Sequence, residues 1–179
     1  DSWAVFREDV EPSAAVFCTY GFDPAFFEAY VLPAVFPESL TLPDAAGDRS
    51  GFLHEADATL AARTVAVFYD HLDSEHVDLP YVPVRVSAGT GAFHAKLILL
   101  DYGDHLRVAV GSMNLTRPAW TSQLELCLVE DLPTEGAHAW AAPLRRFLAR
   151  LEPFVPEPRR AHVRAVGERL ASVREPHGR

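Results

Sequence analysis

Lysine is nearly missing from this 179-residue chain: of its 16 basic residues all but one, Lys96, are arginine. Cysteine is scarce as well. Cys18 and Cys127 sit in the strand-like apolar runs AVFCTY and LELCLV, at no metal-ligand spacing. That excludes a disulfide framework or a zinc cluster as the organising device, and both read as small buried hydrophobes in a reducing compartment, cytoplasmic or, in a eukaryote, nuclear. Long apolar runs are missing too, which leaves no candidate membrane span. No charged segment followed by an apolar core opens the chain, so no secretory signal is expected. The first residue is Asp and the pattern starts in mid-course, as expected of a domain taken from a longer protein. Positive charge is in deficit. A formal net charge of -9 excludes a surface that binds polyanions by bulk charge alone. The deficit is uneven: residues 1–144 carry 7 Lys and Arg against 21 Asp and Glu, a balance of -14, whereas residues 145–179 carry 9 against 4, a balance of +5. The C-terminal segment therefore reads as an arginine-rich solvated helix, or as a face for a phosphate backbone or an acidic partner.

What is present is a half-apolar, globular composition at the length of one domain. AAVFCTYGF (14–22) reads as a buried strand. Asp23 then offers an N-cap, Pro24 a first helical position, and the apolar spacing predicts a helix until Pro33 kinks or ends it. A Pro/Gly/Asp-rich loop spans 37–51, a short helix covers FLHEADATLAAR, and TVAVFYD (64–70) is a second strand. YVPVRVSA, the two strands within residues 93–116, and SQLELCLVED (122–131) complete the strand set, and helices are expected over about 134–151 and 158–174. Buried strands flanked by helices predict an α/β fold, a mixed β-sheet sandwiched between helices. The expected organisation is a single domain over 1–179, with 153–179 as a C-terminal helical connector.

The chemistry concentrates in FHAKLILLDYGDHLRVAVGSMNLT, Phe93 to Thr116. LILLDYGDHLRVAV reads as a hairpin turning at Gly103 and Asp104. Pairing Asp101 with Arg107 places His94 opposite Asn114 and Lys96 opposite Ser112, all four on one face. A one-residue bulge in the turn would break that register. As a group these residues suit an anion: an imidazole able to attack or carry a proton, a compact ammonium, and two neutral donors. They can hold a tetrahedral phosphate while His94 attacks phosphorus, with Lys96 and Asn114 stabilising charge on the equatorial oxygens. Glu125 lies within reach on the next strand, placed to hold the second imidazole nitrogen. Each residue alone has a plainer reading as a core histidine or a snorkelling lysine.

HAKLILLD followed by GSMN resembles the His-x-Lys, Asp, Gly-Ser-x-Asn signature of the phospholipase D superfamily, and the resemblance extends through Trp120, Gln123 and Glu125. The longer gap from Asp101 to Gly111, the GDHLRVAV segment and the tryptophan six residues after Asn114 most resemble the N-terminal half of a tyrosyl-DNA phosphodiesterase, as does AVFCTYGFDPAFFEAYVLP upstream. Asp101 and the Gly111-Ser112 pair match the wider superfamily better. The resemblance implies a phospholipase D-like half-domain and a metal-independent phosphodiesterase acting on nucleic acid, as a nuclease or a DNA 3'-end adduct hydrolase. It makes His94 the nucleophile of a phosphohistidine intermediate, has Lys96 and Asn114 grip the phosphate and Glu125 orient His94, and places Ser112, Gln123 and Trp120 on the substrate side. It implies no cofactor. The alternatives are a phospholipase D-type lipid phosphodiesterase or transferase, and a non-catalytic half that binds phosphate or a partner.

These enzymes place two signatures face to face, and only one is present. His105 lies in the turn, and His54, His71, His76, His138, His162 and His177 lack a lysine two residues on. The expected partner is a second phospholipase D-like half, in the same full-length chain or from a homodimer. Elsewhere, YDHLDSEHVD gathers Asp70, His71, Asp73, Glu75, His76 and Asp78 at no known metal spacing and reads as solvated surface. Trp3, Phe6, Phe26 and Phe27 read as packing residues, and Trp120 as either a core cap or a groove residue.

Overall fold

The computed structural model describes residues 2–40, 49–73, 79–87 and 89–173. Six strands form one mixed sheet: β1 (Ala14–Phe22), β2 (Thr64–Leu72), β3 (Val82–Arg85), β4 (Leu97–Asp101), β5 (His105–Gly111) and β6 (Cys127–Pro133), in the order β3-β2-β1-β4-β5-β6. β1, β2 and β3 run parallel, and the β1–β4, β4–β5 and β5–β6 pairs are antiparallel. The parallel half follows from chain order, because α3 (Arg49–Ala62) carries the chain across from β1 back to the start of β2.

Both faces are covered, as the apolar strand runs require. On one face Phe17, Phe27, Ile98 and Leu100 pack with α1 (Pro24–Phe26) and α2 (Leu32–Val35); on the other, Val16, Leu99, Val108 and Leu132 pack under α5 (Ala141–Leu151) and α6 (Glu157–Ser172). The α/β sandwich expected from the sequence is therefore the observed fold.

Asp23 is the N-cap, its carboxylate accepting from the Phe26 N–H at 3.1 Å. Pro33 does not end the helix. Phe27–Val31 form a π turn in which the Leu32 N–H bonds back to the Phe27 carbonyl, and the widened turn makes room for the proline ring, so the helix runs on to Val35. The last strand starts five residues later than its sequence pattern indicates, at Cys127, because the turn that ends α4 (Arg117–Thr121) and an irregular stretch occupy residues 122–126.

The hairpin register is corrected by one residue. Asp101 pairs with Leu106, and the Tyr102 N–H donates to the His105 carbonyl at 3.0 Å, so only Gly103 and Asp104 form the turn. Gly103 has a φ of 93°, which its missing Cβ permits. A shorter turn than the five residues expected draws β5 back by one position. Lys96 consequently faces Gly111, whose N–H donates to the Lys96 carbonyl at 3.3 Å, and not Ser112.

Candidate active site

The His-x-Lys segment precedes β4 and is held at both ends. Asp70 accepts from the Phe93 N–H at 2.5 Å, and the Phe93 ring stacks on Phe147 with centroids 6.4 Å apart. At the other end the Gly111 N–H closes onto Lys96. Between these anchors His94 stands exposed to solvent and Lys96 is half-buried. Lys96 Nζ lies 3.0 Å from Nδ1 and 3.1 Å from Nε2 of His94, and donates to the His94 carbonyl at 3.2 Å. The lone-pair directions of the two ring nitrogens diverge, so an ammonium equidistant from both lies alongside the ring and not on either axis.

Tyr20 completes the wall. Its ring centroid is 5.0 Å from that of His94, and Lys96 Nζ stands 5.6 Å from its centre, a cation–π contact. Nothing in the run CTYGFD marks Tyr20 as chemical; only the pairing of β1 with β4 carries it there. Within β1 it is the one half-buried position of an otherwise buried strand.

Asn114 is oriented by the same strand. Its Oδ1 accepts the backbone N–H groups of Tyr20 at 3.3 Å and Gly21 at 3.2 Å. The single hydroxyl proton of Thr19 belongs to the shorter bond, 2.7 Å to the Gly21 carbonyl, and its oxygen accepts the Leu115 N–H at 3.0 Å. With the Asn114 oxygen committed to donors, the network fixes the amide and leaves both N–H groups of Nδ2 without a partner among the described residues. Behind it, the Trp120 indole N–H donates to the Asn114 carbonyl at 2.9 Å. Trp120 itself is buried against Trp3, Phe6 and Phe26, stacking on Phe6 with centroids 5.5 Å apart, so it caps the core. Of the two readings of Trp120, core cap or groove residue, this placement is the first: its indole supports the Asn114 loop from within.

Glu125 departs from expectation. Among the described residues it makes no hydrogen bond to His94; it accepts from the Ser112 hydroxyl. The reason is where β6 begins. Ser112 and Leu126 bond to each other twice, the Ser112 N–H to the Leu126 carbonyl at 2.9 Å and the Leu126 N–H to the Ser112 side-chain Oγ at 3.0 Å, which pins Glu125 over Ser112. From there its carboxylate raises the Lys96 pKa, against the larger lowering that burial causes, and the net direction is below the ordinary lysine value. Gly111 is the glycine this crossing needs: a Cβ there would run into the Leu126 carbonyl oxygen and lie 3.1 Å from the Cys127 Cα. Gln123 is exposed, with its backbone N–H tied to the Pro118 carbonyl.

The fourth residue of the signature stands apart. Asp101 ends β4 at the far side of the sheet from Lys96, buried, accepting from the Gly103 N–H at 2.9 Å and from Arg169 Nε of α6 at 3.1 Å. It fastens α6 to the hairpin turn. Of the acidic loop, His71 and Asp73 lie 3.6 Å apart, and Glu75, His76 and Asp78 are outside the described residues. Among the described residues no helix is long and apolar enough to cross a membrane.

No family model and no curated sequence matches the chain. Solved structures do. The chain is similar to NucT from Helicobacter pylori, at 12% identity over 86% of each chain with a TM-score of 0.50. It is also similar to a mutant of the yeast tyrosyl-DNA phosphodiesterase, at 9% identity and a TM-score of 0.53, covering 93% of this chain and 36% of that one. A further similarity is to Nuc from Salmonella typhimurium, a phospholipase D family member, at 15% identity, a TM-score of 0.41 and coverage of 71% and 70%. At these identities the likeness is one of fold, the α/β fold that this chain shares with NucT and with part of the yeast tyrosyl-DNA phosphodiesterase.

Proposed function

We propose that this phospholipase D-like half-domain is one catalytic half of a metal-independent phosphodiesterase acting on nucleic acid. The observation that carries the reading is the packing of the chain's single lysine against His94, at an open sheet end where Asn114 presents two oriented N–H donors. The nucleic-acid substrate class rests on the tyrosyl-DNA phosphodiesterase resemblance of the hairpin and on the fold shared with the yeast enzyme of that name.

A ring nitrogen of His94 attacks phosphorus, and the bond from phosphorus to the leaving oxygen breaks. Lys96 and the Asn114 amide hold the non-bridging oxygens through the transition state. Ser112 and Glu125 set the charge beside Lys96. The leaving oxygen takes a proton from an acid on the opposite side, supplied by a second half. Water, giving a proton back to that acid, then forms a bond to phosphorus as the phosphorus–nitrogen bond breaks, yielding a phosphate monoester and restoring neutral His94 and the acid. Each species balances without a metal, and the reading places the protein in an intracellular compartment where such substrates occur. The test is His94-dependent turnover in the presence of a chelator.

A further inference from the structure

Tyr30 and Arg117 meet on the surface beyond the Asn114 loop, and the chemistry described above uses neither. Tyr30 follows Phe26 by one helical turn, so the two rings share a face; they stack with centroids 5.6 Å apart at 23°. The Arg117 guanidinium lies over the Tyr30 ring, 4.6 Å from its centre. Phe26 is buried, Tyr30 is 40% exposed and Arg117 is exposed, so the stacked planes run from the core out to solvent. Among the described residues Arg117 has no carboxylate partner, whereas Arg63 is paired with Glu11, and Arg107 with Glu8 and Asp131. The stack is tied to the site. Arg117 stands three residues after Asn114, a span of at most about 11 Å. The segment between them is fixed: the Asp23 N–H donates to the Leu115 carbonyl at 2.9 Å, and the Trp120 indole that holds the Asn114 carbonyl packs against Phe26.

We infer that the Tyr30–Arg117 stack is a nucleobase platform, on which an unpaired base near the phosphodiester held at His94 and Asn114 adds the next layer. Every base has a π-face, and a guanidinium plane backed by aromatic rings accepts it whatever the sequence. A net charge of -9 supplies little bulk attraction for a polyanion, so a local stack provides adhesion that charge does not. A base inside a duplex reaches such a surface only at the cost of unstacking, so the platform favours single strands. The inference deepens the phosphodiesterase reading and rests on it for the place of the scissile bond; the stack itself does not depend on it.

The experiment is equilibrium binding of a fluorescently labelled, single-stranded oligothymidylate to the chain, followed by anisotropy at two ionic strengths. The proteins compared are the unmodified chain, Tyr30→Ala, Tyr30→Phe, Arg117→Ala and Arg117→Lys. Both side chains are exposed, so circular dichroism should report an unchanged fold in each variant. Tyr30→Ala should bind at least about 5-fold more weakly, the low end of what one stacked base contributes, and Tyr30→Phe should bind within about 2-fold of the unmodified chain. Arg117→Lys keeps the charge and loses the plane, so it should fall with Arg117→Ala. The Tyr30→Ala loss should be the same at both ionic strengths, because stacking releases no counterions. An abasic oligonucleotide of the same length should not distinguish Tyr30→Ala from the unmodified chain. No binding of oligothymidylate, or binding indifferent to Tyr30→Ala, overturns the platform. So does an Arg117→Lys protein that binds like the unmodified chain, which would make Arg117 a phosphate contact. The chemical reading fails separately: binding that depends on Tyr30, with no His94 adduct from bis(4-nitrophenyl) phosphate, keeps the platform and removes the enzyme. An adduct on His94 alongside binding indifferent to Tyr30 does the reverse.

Discussion

Lys96 Nζ sits 3.0 and 3.1 Å from the two ring nitrogens of His94 and 5.6 Å from the centre of the Tyr20 ring. The ammonium is flanked by these two rings, a position that the proposed chemistry assigns to a compact point charge beside the phosphate. That accounts for a lysine in a chain that otherwise uses arginine.

Lys96→Arg should therefore slow the attack on a phosphodiester by about 10-fold or more, and Lys96→Ala by about 10²–10³-fold, the loss typical of a removed oxyanion donor. Single-turnover rates with an activated substrate measure both. An unimpaired Lys96→Arg protein would show that this placement has no chemical purpose.

Burial lowers the Lys96 pKa and Glu125 partly restores it. The ammonium is the active form, so activity is present below the lysine pKa and is lost as pH rises through it, at a pH below that of an ordinary lysine. Glu125→Gln removes the restoring charge and should move the alkaline limb of the pH–rate profile to lower pH. A limb that stays put or moves to higher pH would separate Glu125 from Lys96.

Asp101 belongs to the signature yet binds the Gly103 N–H and Arg169, away from His94. Asp101→Asn should cost about 1–3 kcal/mol of stability, read as a lower urea midpoint at unchanged slope, because a buried acceptor of charged and backbone donors is weakened. The single-turnover rate of the folded variant should be unchanged.

Gly111 is crossed closely by the chain at Leu126. Gly111→Ala should cost about 1–3 kcal/mol by forcing the two backbones apart, and it should also loosen Ser112 from Glu125. Its pH profile should then shift in the same direction as that of Glu125→Gln.

Much of the fold was legible because the strands are short buried runs bounded by clear punctuation. The Asp23-Pro24 helix start and β1 over Ala14–Phe22 stand as the sequence indicates. The register was not legible, because YGDHL supports either a two-residue or a longer turn, and Tyr102 chose the former by bonding to His105. His94 and Lys96 could be read from their spacing, and Asn114 from its place after Gly111 and Ser112. Tyr20 could not, since it enters the site through a strand pairing across nearly eighty residues. The partner of Glu125 was not legible, because the start of β6 depends on a pair of Ser112–Leu126 bonds that no local pattern announces.

The most direct measurement is a burst assay with bis(4-nitrophenyl) phosphate in excess EDTA, followed by intact-mass analysis after an alkaline quench. Nitrophenolate leaves without needing a proton, so the first step is readable without an acid from a second half. The account predicts one equivalent of nitrophenolate per site and a phosphoryl adduct that maps to His94 and vanishes in His94→Ala. No adduct on His94, or release that requires added metal, would contradict it.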